Sequence, residues 1–407
     1  MTLEHIIDSQ VDSLQTLAEM ISEVMGSPVT IEDEGHRLLA YSTHDPSTDP
    51  ARIATIVGRK VPEHVQRALY ESGAMQRLLD SEEPQHIREL SEVGLRSRMA
   101  ISVRHYDEVI GYIWLLENDG SYTTAQLQQF KRGAQIAASK MMQQQQRQQK
   151  MELLRRLLNG RFQSEQEAAQ QSQEAGVELP VSGYVLIMEQ NGQPDTRSWY
   201  DKVVQASSEY AVKVHLHLLE PNRLILLCGM NNRLQSDSSA ELSARIHMII
   251  TRLRLLLPVE GIYYAAGEGF GSALHIQRSY RQARELITLH QHLPETHTIH
   301  YYPDAGFYRY LNAMQREAEQ FPVSWGPIER LAAYDREHNS NLLQTLSVFL
   351  DHDSDAKQAA AQLHVHTNTL NYRLRRIAEV GHVNLDSMAE KVTLYLELKL
   401  LWLDREN

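Results

Sequence analysis

A chain of 407 residues, 42% hydrophobic and 23% charged, exceeds one ordinary core and calls for two or three domains. Its longest apolar runs, such as LILLCGM after Arg223, fall far short of the roughly 20 residues that span a bilayer, and one cysteine, Cys228, excludes an internal disulfide framework and any multi-cysteine zinc site. The formal net charge of −12 does not exclude nucleic acid, because one small basic patch is enough to hold phosphates.

The N-terminus, MTLEHIIDSQ, is acidic and polar where a secretory signal needs a basic region and then an apolar block, so a cytoplasmic location without a membrane partner is expected. IIDSQVDSLQTLAEMISEVMG is a predicted helix, with Ile7, Val11, Leu14, Leu17, Ile21 and Val24 at helical spacing and Gly26 as its stop. SPVTIEDEGHRLLAYST reads as two short strands around an acidic glycine turn, VPEHVQRALYESG as helical, and RMAISVRHYDEVIGYIWLLEN as two more strands. Helix, hairpin, helices, hairpin, helix is the order of one α+β domain. Closed by the helix YTTAQLQQFKRGAQIAASKM, the order resembles a GAF-type sensory domain, and the resemblance implies a small-molecule cleft between the sheet and its covering helices. Tyr41, Ser42, Thr43, Arg98 and Tyr112 lie on or beside the predicted strands and are the candidate effector-binding residues. Each also reads, more simply, as a strand-surface residue.

From Thr123 to about Asn159 the sequence predicts nearly one continuous helix, with no proline and only Gly133 inside it. Leu127, Phe130, Ala134, Ala137, Met141, Gln148, Met151, Leu154 and Leu158 form a partial seam at steps of three, four and seven, interrupted by QQQQRQQ. A dimerising or spacer helix and an ordinary amphipathic helix packed on its own domain fit equally well.

Between about Gln163 and His300 predicted strands (YVLIME, VHLHLLE, RLILLCGM, GIYYAAG) alternate with helices (SWYDKVVQASSEYA, SAELSARIHMIITRLRLLL, SYRQARELITLHQHL), an α/β layer. Cys228 falls in one of these strands and is expected to be a buried structural thiol. The hairpin HLHLLEPNRLILLCGM resembles the place where GGDEF-class nucleotide cyclases carry their catalytic signature. Here the turn is Glu220, Pro221, Asn222, Arg223, without the paired acids that would hold magnesium or the glycines that would admit a triphosphate. If the fold is cyclase-like, the activity is expected to be absent. GEGFGS, residues 267–272, has glycines at 267, 269 and 271 and Ser272 in place of the third glycine of a dinucleotide loop, so a tight structural turn is the preferred reading.

Three helices are predicted between Ser340 and Val380. NLLQTLSVFLDH presents Leu342, Leu346, Phe349 and Leu350 on one face; the second helix starts after Asp355, with Gln358 completing a capping-box pattern, and packs through Ala356, Ala359, Ala360 and Leu363. Thr367 is the expected cap of the third, NTLNYRLRRIAEV, which buries Leu370, Leu374 and Ile377. The opposite face holds Asn368, Tyr372, Arg375 and Arg376, flanked by Thr369 and Asn371, while Arg373 sits nearer the core edge, placed to clasp a phosphate or an acidic neighbour. From Ala356 to Gly381 the charges are Lys357, Arg373, Arg375 and Arg376 against Glu379 alone.

A short alanine-rich helix, a tight turn and a second helix with a polar start is the helix-turn-helix arrangement. Asn pairs with adenine, Arg with guanine, and Thr, Tyr and Arg reach phosphates, so Lys357, Gln358, Thr367, Asn368, Thr369, Asn371, Tyr372, Arg373, Arg375 and Arg376 are the candidate DNA-binding residues. His364 and His366 invite a metal reading, but they stand two apart at a helix entry, where side chains diverge, with no Cys or carboxylate adjacent. A packed or helix-end role is preferred, and no metal or cofactor is called for.

The run AAAQLHVHTNTLNYRLRRIAEVGHVNLD closely resembles the C-terminal helix-turn-helix of PucR/CdaR-like bacterial transcription regulators, in a His-x-Asn-Thr-Leu-x-Tyr-Arg-Leu pattern met here by His366, Asn368, Thr369, Leu370, Tyr372, Arg373 and Leu374. Thr367 departs from the Arg common in that family, which removes one phosphate contact. The likeness extends through DSMAEKVTLYLELKLLWL and, more weakly, over the rest of the chain. It implies a cytoplasmic, dimeric, ligand-responsive regulator of a catabolic operon, usually an activator, and the domain order is similar to regulators responsive to proline or related amino acids.

The fold class expected is therefore α+β multidomain. Residues 1–122 form a GAF-like effector-sensing domain, 123–160 a connecting or dimerising helix, 161–300 a degenerate GGDEF-like domain, and 301–407 an all-α helix-turn-helix domain. The partners expected are double-stranded operator DNA, a small effector and a second copy of the chain. The alternative class, a nucleotide-binding or cyclase-type signalling enzyme using the middle domain, lacks any catalytic motif.

Overall fold

The computed structural model describes residues 11–42, 48–117, 122–190, 196–230, 238–257, 260–320 and 326–403. The chain divides into two compact units, Met1–Gln149 and Lys150–Asn407. Among the described residues no helix is long and apolar enough to cross a membrane.

The first unit runs α1 (Leu14–Met25), β1 (Val29–Asp33), β2 (Leu38–Tyr41), α2 (Pro50–Gly58), α3 (Glu63–Glu71), α4 (Ala74–Asp80), β3 (Gln85–Ile87), β4 (Arg98–His105), β5 (Glu108–Leu116) and the greater part of the long α5 (Thr124–Leu158), whose last turns, from Lys150, belong to the second unit. The first helix starts later than its apolar spacing suggests. Ser13 caps it by accepting from the Thr16 N–H at 3.1 Å, so Val11, though buried, precedes the helix, and Ile7 lies outside the described residues. Gly26 ends it at φ 64°, a left-handed conformation that glycine adopts without strain.

The five strands make one antiparallel sheet in the order β2-β1-β5-β4-β3. Alternation along each strand decides which layer a side chain meets. Val29, Ile31, Ile101, Val103, Ile113 and Leu115 pack with α1 and the first half of α5, where Phe130, Ala134, Ala137 and Met141 are buried. Ala100, Tyr112 and Trp114 point the other way, into a core shared with α2, α3 and α4.

The second unit continues with α6 (Glu165–Glu174), β6 (Gly183–Gln190), α7 (Thr196–Glu209), β7 (Val212–Leu219), β8 (Arg223–Met230), α8 (Ser239–Leu256), β9 (Ile262–Ala266), α9 (Ile276–His292) and α10 (Tyr308–Gln320). The strands form an antiparallel sheet in the order β7-β8-β6-β9. One face packs on α9 and the last turns of α5, which bury Leu153, Leu154, Leu157 and Leu158. The other packs on α7 and α8, and there Cys228 is fully buried. Burial pushes its thiol up to about 12. The glycine loop is structural: the Gly267 N–H bonds the Val185 carbonyl at 3.0 Å, and a Cβ on Gly267 would lie 1.8 Å from the Ser279 carbonyl oxygen of α9. Only glycine lets strand and helix approach so closely.

The C-terminal helices are α11 (Gly326–His338), α12 (Leu342–Asp351), α13 (Ala356–Gln362), α14 (Thr367–Gly381) and α15 (Met388–Leu403). α15 belongs to two cores, since Leu394 and Leu398 pack with α11, α12 and α14 while Leu400 and Leu403 pack with α9 and the second sheet. Between them the buried Lys399 ammonium bonds Asp351 of α12 at 2.7 Å and Glu295, in the turn after α9, at 2.6 Å. Burial works against that charge, and the two carboxylates hold it by raising the ammonium above its ordinary range.

Candidate nucleic-acid interface

The pair α13–α14 is set by its turn. Asp355 caps α13, its carboxylate accepting from the Lys357 and Gln358 N–H groups at 2.7 and 3.1 Å. The capping box is incomplete, because the Gln358 amide donates to that same carboxylate at 3.2 Å rather than closing on the Asp355 backbone. α13 then ends with His364 at φ 53°. The N–H groups of Val365 and His364 return to the carbonyls of Ala360 and Ala361 at 3.0 and 3.1 Å, the paired bonds of a Schellman stop, with histidine where glycine is usual.

That turn moves the start of α14 by one residue from the expected place. His366, not Thr367, is the cap: its Nδ1 accepts from the Asn368 N–H at 3.2 Å, and Thr367 is the first helical residue. An imidazole used in this way serves the helix-end role preferred on sequence grounds, with its Nδ1 committed to the backbone.

Helical spacing sorts the rest. Leu370 and Ile377 are fully buried and Leu374 half-buried, packing on Phe349, Ala359 and Ala360 on one side and on Leu331, Leu342 and Leu346 on the other. On the opposite side Asn368, Thr369, Asn371, Tyr372 and Arg375 are exposed, Tyr372 by 69%. Among the described residues the Arg375 guanidinium makes no hydrogen bond or ion pair. Lys357 and Gln358 are exposed at the start of α13 and Thr367 is half-buried.

The other two arginines are already engaged. Arg373 donates to the Thr345 hydroxyl of α12 at 3.3 Å and forms no ion pair with an acid among the described residues. Arg376 lies over the Tyr334 ring at 4.9 Å, donates to its hydroxyl at 3.1 Å and pairs with Glu379 at 2.8 Å. Sequence spacing places Arg376 on the polar face, but Tyr334 comes from α11, beyond the reach of any local pattern.

Residues 342–400 match the family described as PucR C-terminal helix-turn-helix domain, and residues 159–289 match the GGDEF-like domain. The chain is 32% identical over 97% of its length, and 94% of the relative's, to the DNA-binding transcriptional activator AdeR of Bacillus subtilis (strain 168). The chain belongs to the PucR-type family of transcriptional regulators. It is 28% identical to the proline-responsive transcriptional activator PutR of the same organism, covering 95% of each chain. To the carbohydrate diacid regulator of Escherichia coli (strain K12) it is 29% identical over 38% of this chain and 40% of that one. This PucR-type chain is thus a DNA-binding regulator and not an enzyme. Its GGDEF-like hairpin is closed instead by structural bonds, Arg223 pairing with Glu189 of β6 and with Glu220 of its own turn.

The candidate effector residues of this regulator are scattered in role. Tyr41 is half-buried at the end of β2, and Thr43 lies outside the described residues. Ser42 is buried, its hydroxyl accepting from the Val29 N–H at 2.9 Å. Tyr112 is buried and stacked on His36, ring centroids 5.3 Å apart. Arg98 is buried and bonded to Asp49. Sequence reasoning passed over Asp49, Arg52 and Glu32, which are buried around it. Strand parity carried a usable signal: Glu32 pairs in register with Tyr112 and Thr30 with Trp114, so all four share the face covered by α2 and α3.

Proposed function

We propose that this regulator binds an operator as a homodimer, laying the exposed face of α14 in the major groove, and activates a catabolic operon in response to a small metabolite such as proline or a related amino acid. The observation that carries this reading is the stripe Asn368, Asn371, Tyr372 and Arg375, at helical spacing and exposed. Folding makes no use of the Arg375 guanidinium, which leaves it for a partner with negative charge and acceptor edges. Thr367, Thr369 and Arg373 border the stripe, and Lys357 and Gln358 at the start of α13 lie where a phosphate would cross. Arg376 contributes through its bond to Tyr334, holding α14 on α11.

One recognition helix per chain reads a half-site of a few base pairs, so two copies about one helical turn apart are needed for a specific operator. The effector class follows the proline responsiveness of PutR. A five-stranded antiparallel sheet between helical layers supports a GAF-like sensor in residues 1–122, with 123–160 as connecting helix, 161–300 as the degenerate GGDEF-like domain and 301–407 as the DNA-binding domain, all in the cytoplasm. The test is operator binding by Asn371→Ala with Arg375→Ala. A loss of at least about 100-fold is expected at ~0.15 M salt, with unchanged helicity and unchanged assembly. Retained affinity in a folded variant would remove α14 from the interface.

A further inference from the structure

Within the second unit, where the end of α5 meets α9 and α10, lies an open cavity of about 420 Å³. That volume is in the range that takes a small molecule. Gln277, Arg281, Arg284 and Thr288 recur at helical spacing and line it from one face of α9. Arg316 lines it from α10, and Leu158 and the Tyr280 ring supply its apolar lining.

Three guanidinium groups thus border one cavity, and the carboxylate that lines it with them, Glu285, is already engaged. The Tyr302 hydroxyl donates to Glu285 Oε2 at 2.8 Å, and Arg316 Nη1 lies 3.8 Å from Oε1. Arg281 and Arg284 make no hydrogen bond or ion pair among the described residues, and Arg284 lies over the Tyr280 ring at 5.8 Å. Like charges three positions apart on a helix repel, so folding gains nothing from setting these two side by side. A dianion would relieve that repulsion, and guanidinium forks match the oxygens of a phosphate. The rest of the polar lining is neutral and includes the side-chain amides of Asn159, Gln277 and Gln315, from three separate elements. An amide both donates and accepts, as a hydroxyl does, so these groups suit a ligand with several hydroxyls. Inorganic phosphate alone would leave them, and most of the volume, unused.

We propose that this cavity is a ligand site for a phosphorylated sugar. The phosphate lies on Arg281 and Arg284, the hydroxyls on the amides, and the apolar face of the sugar against Tyr280. The assignment is independent of the reading of residues 1–122 as the sensor.

The test is calorimetric titration of the full-length protein at ~0.15 M salt, where diffuse attraction is partly screened. The probes are ribose-5-phosphate, glucose-6-phosphate, the two parent sugars and inorganic phosphate. Arg281→Gln, Arg284→Gln and Arg278→Gln are titrated beside the unaltered chain; Arg278 is also on α9 but pairs with Glu268 and does not line the cavity. All three side chains are exposed, so the variants are expected to fold, which thermal unfolding checks. At least one sugar phosphate is expected to bind with Kd below about 1 mM, and at least about tenfold more tightly than its parent sugar or inorganic phosphate. Arg281→Gln and Arg284→Gln should each weaken it by about tenfold or more, and Arg278→Gln should leave it unchanged. Binding of neither ester would overturn the site. Inorganic phosphate or the parent sugar binding as tightly as the ester would overturn the ligand class, and equal weakening by all three variants would reduce the binding to diffuse charge. Operator recognition by α14 stands under each of these outcomes.

Discussion

In the first unit Arg98 is buried against Asp49, with Arg52 and Glu32 beside it; on α14 Arg375 stands in solvent with no ion pair among the described residues. The same kind of side chain is fixed by the fold in one region and left for a partner in the other. A buried charge is indispensable to the structure that surrounds it, because removing its partner leaves an ion stranded in a poor solvent. An exposed charge costs the fold almost nothing to lose.

The largest effect on stability is therefore expected from Asp49→Ala. It strips Arg98 of its counter-ion and also removes the acceptor of the Arg52 and Arg96 N–H groups, at 2.7 and 3.0 Å, the first of which caps α2. Urea unfolding should show a loss of about 3–5 kcal/mol, against less than about 0.5 kcal/mol for Arg375→Ala. Equal losses would erase the distinction between the two regions.

Acid provides a second, graded probe of buried polar groups, this time in the second unit. Burial lowers the His290 and His300 imidazoles from the ordinary 6.5 to about 4, with the Arg254 charge adding to it at His300. Both are therefore neutral in the fold, whereas the unfolded chain takes up protons below about 6.5. Their contribution is complete above that pH and is lost as the pH falls through the window toward 4, on the order of 3 kcal/mol each at the most. Unfolding free energies measured from pH 8 to 4.5 should decline across that window, and a flat profile would show that these imidazoles are not held neutral.

Lys399→Met tests a buried ion whose partners are partly in water. Lys399 is 3% exposed, but Glu295 and Asp351 are 37% and 33% exposed, and solvent can take them over once the ammonium is gone. A loss of roughly 2 kcal/mol is expected, smaller than for Asp49. A loss as large as that of Asp49→Ala would mean that solvent does not rescue the two carboxylates.

The two regions also differ in how far local pattern reveals them. On α14 the apolar stripe Leu370, Leu374 and Ile377 fixes the orientation of the helix, and the exposed Asn, Tyr and Arg positions follow from it by rotation. What escaped was the non-local Tyr334 ring that occupies Arg376, and the left-handed His364 that moves the cap by one residue, where sequence offers no glycine to mark the stop. In the first unit the strands were legible, yet Glu32 looked like part of the acidic turn EDEG. Its burial depends on α2 and α3 folding over that face of the sheet, which alternation along β1 alone does not announce.

The smallest effect separates the two roles of one position. His366→Ala should cost about 1 kcal/mol, because the Asn368 N–H loses its acceptor, and it should weaken operator binding only as far as α14 frays. His366→Asn restores a short acceptor and should recover both. His366→Asp also caps, and its negative charge suits a helix N-terminus, so the free protein should be at least as stable as with histidine. That same charge would then face phosphates, so operator affinity is expected to fall below that of the Asn variant and to do so more at low salt, where screening is weak. Stability and binding would move in opposite directions from one exposed position at the entry to α14. If the Asp and Asn variants bound the operator equally at every salt concentration, the start of α14 would not approach the DNA backbone, and the helix would have to enter the groove from its other end.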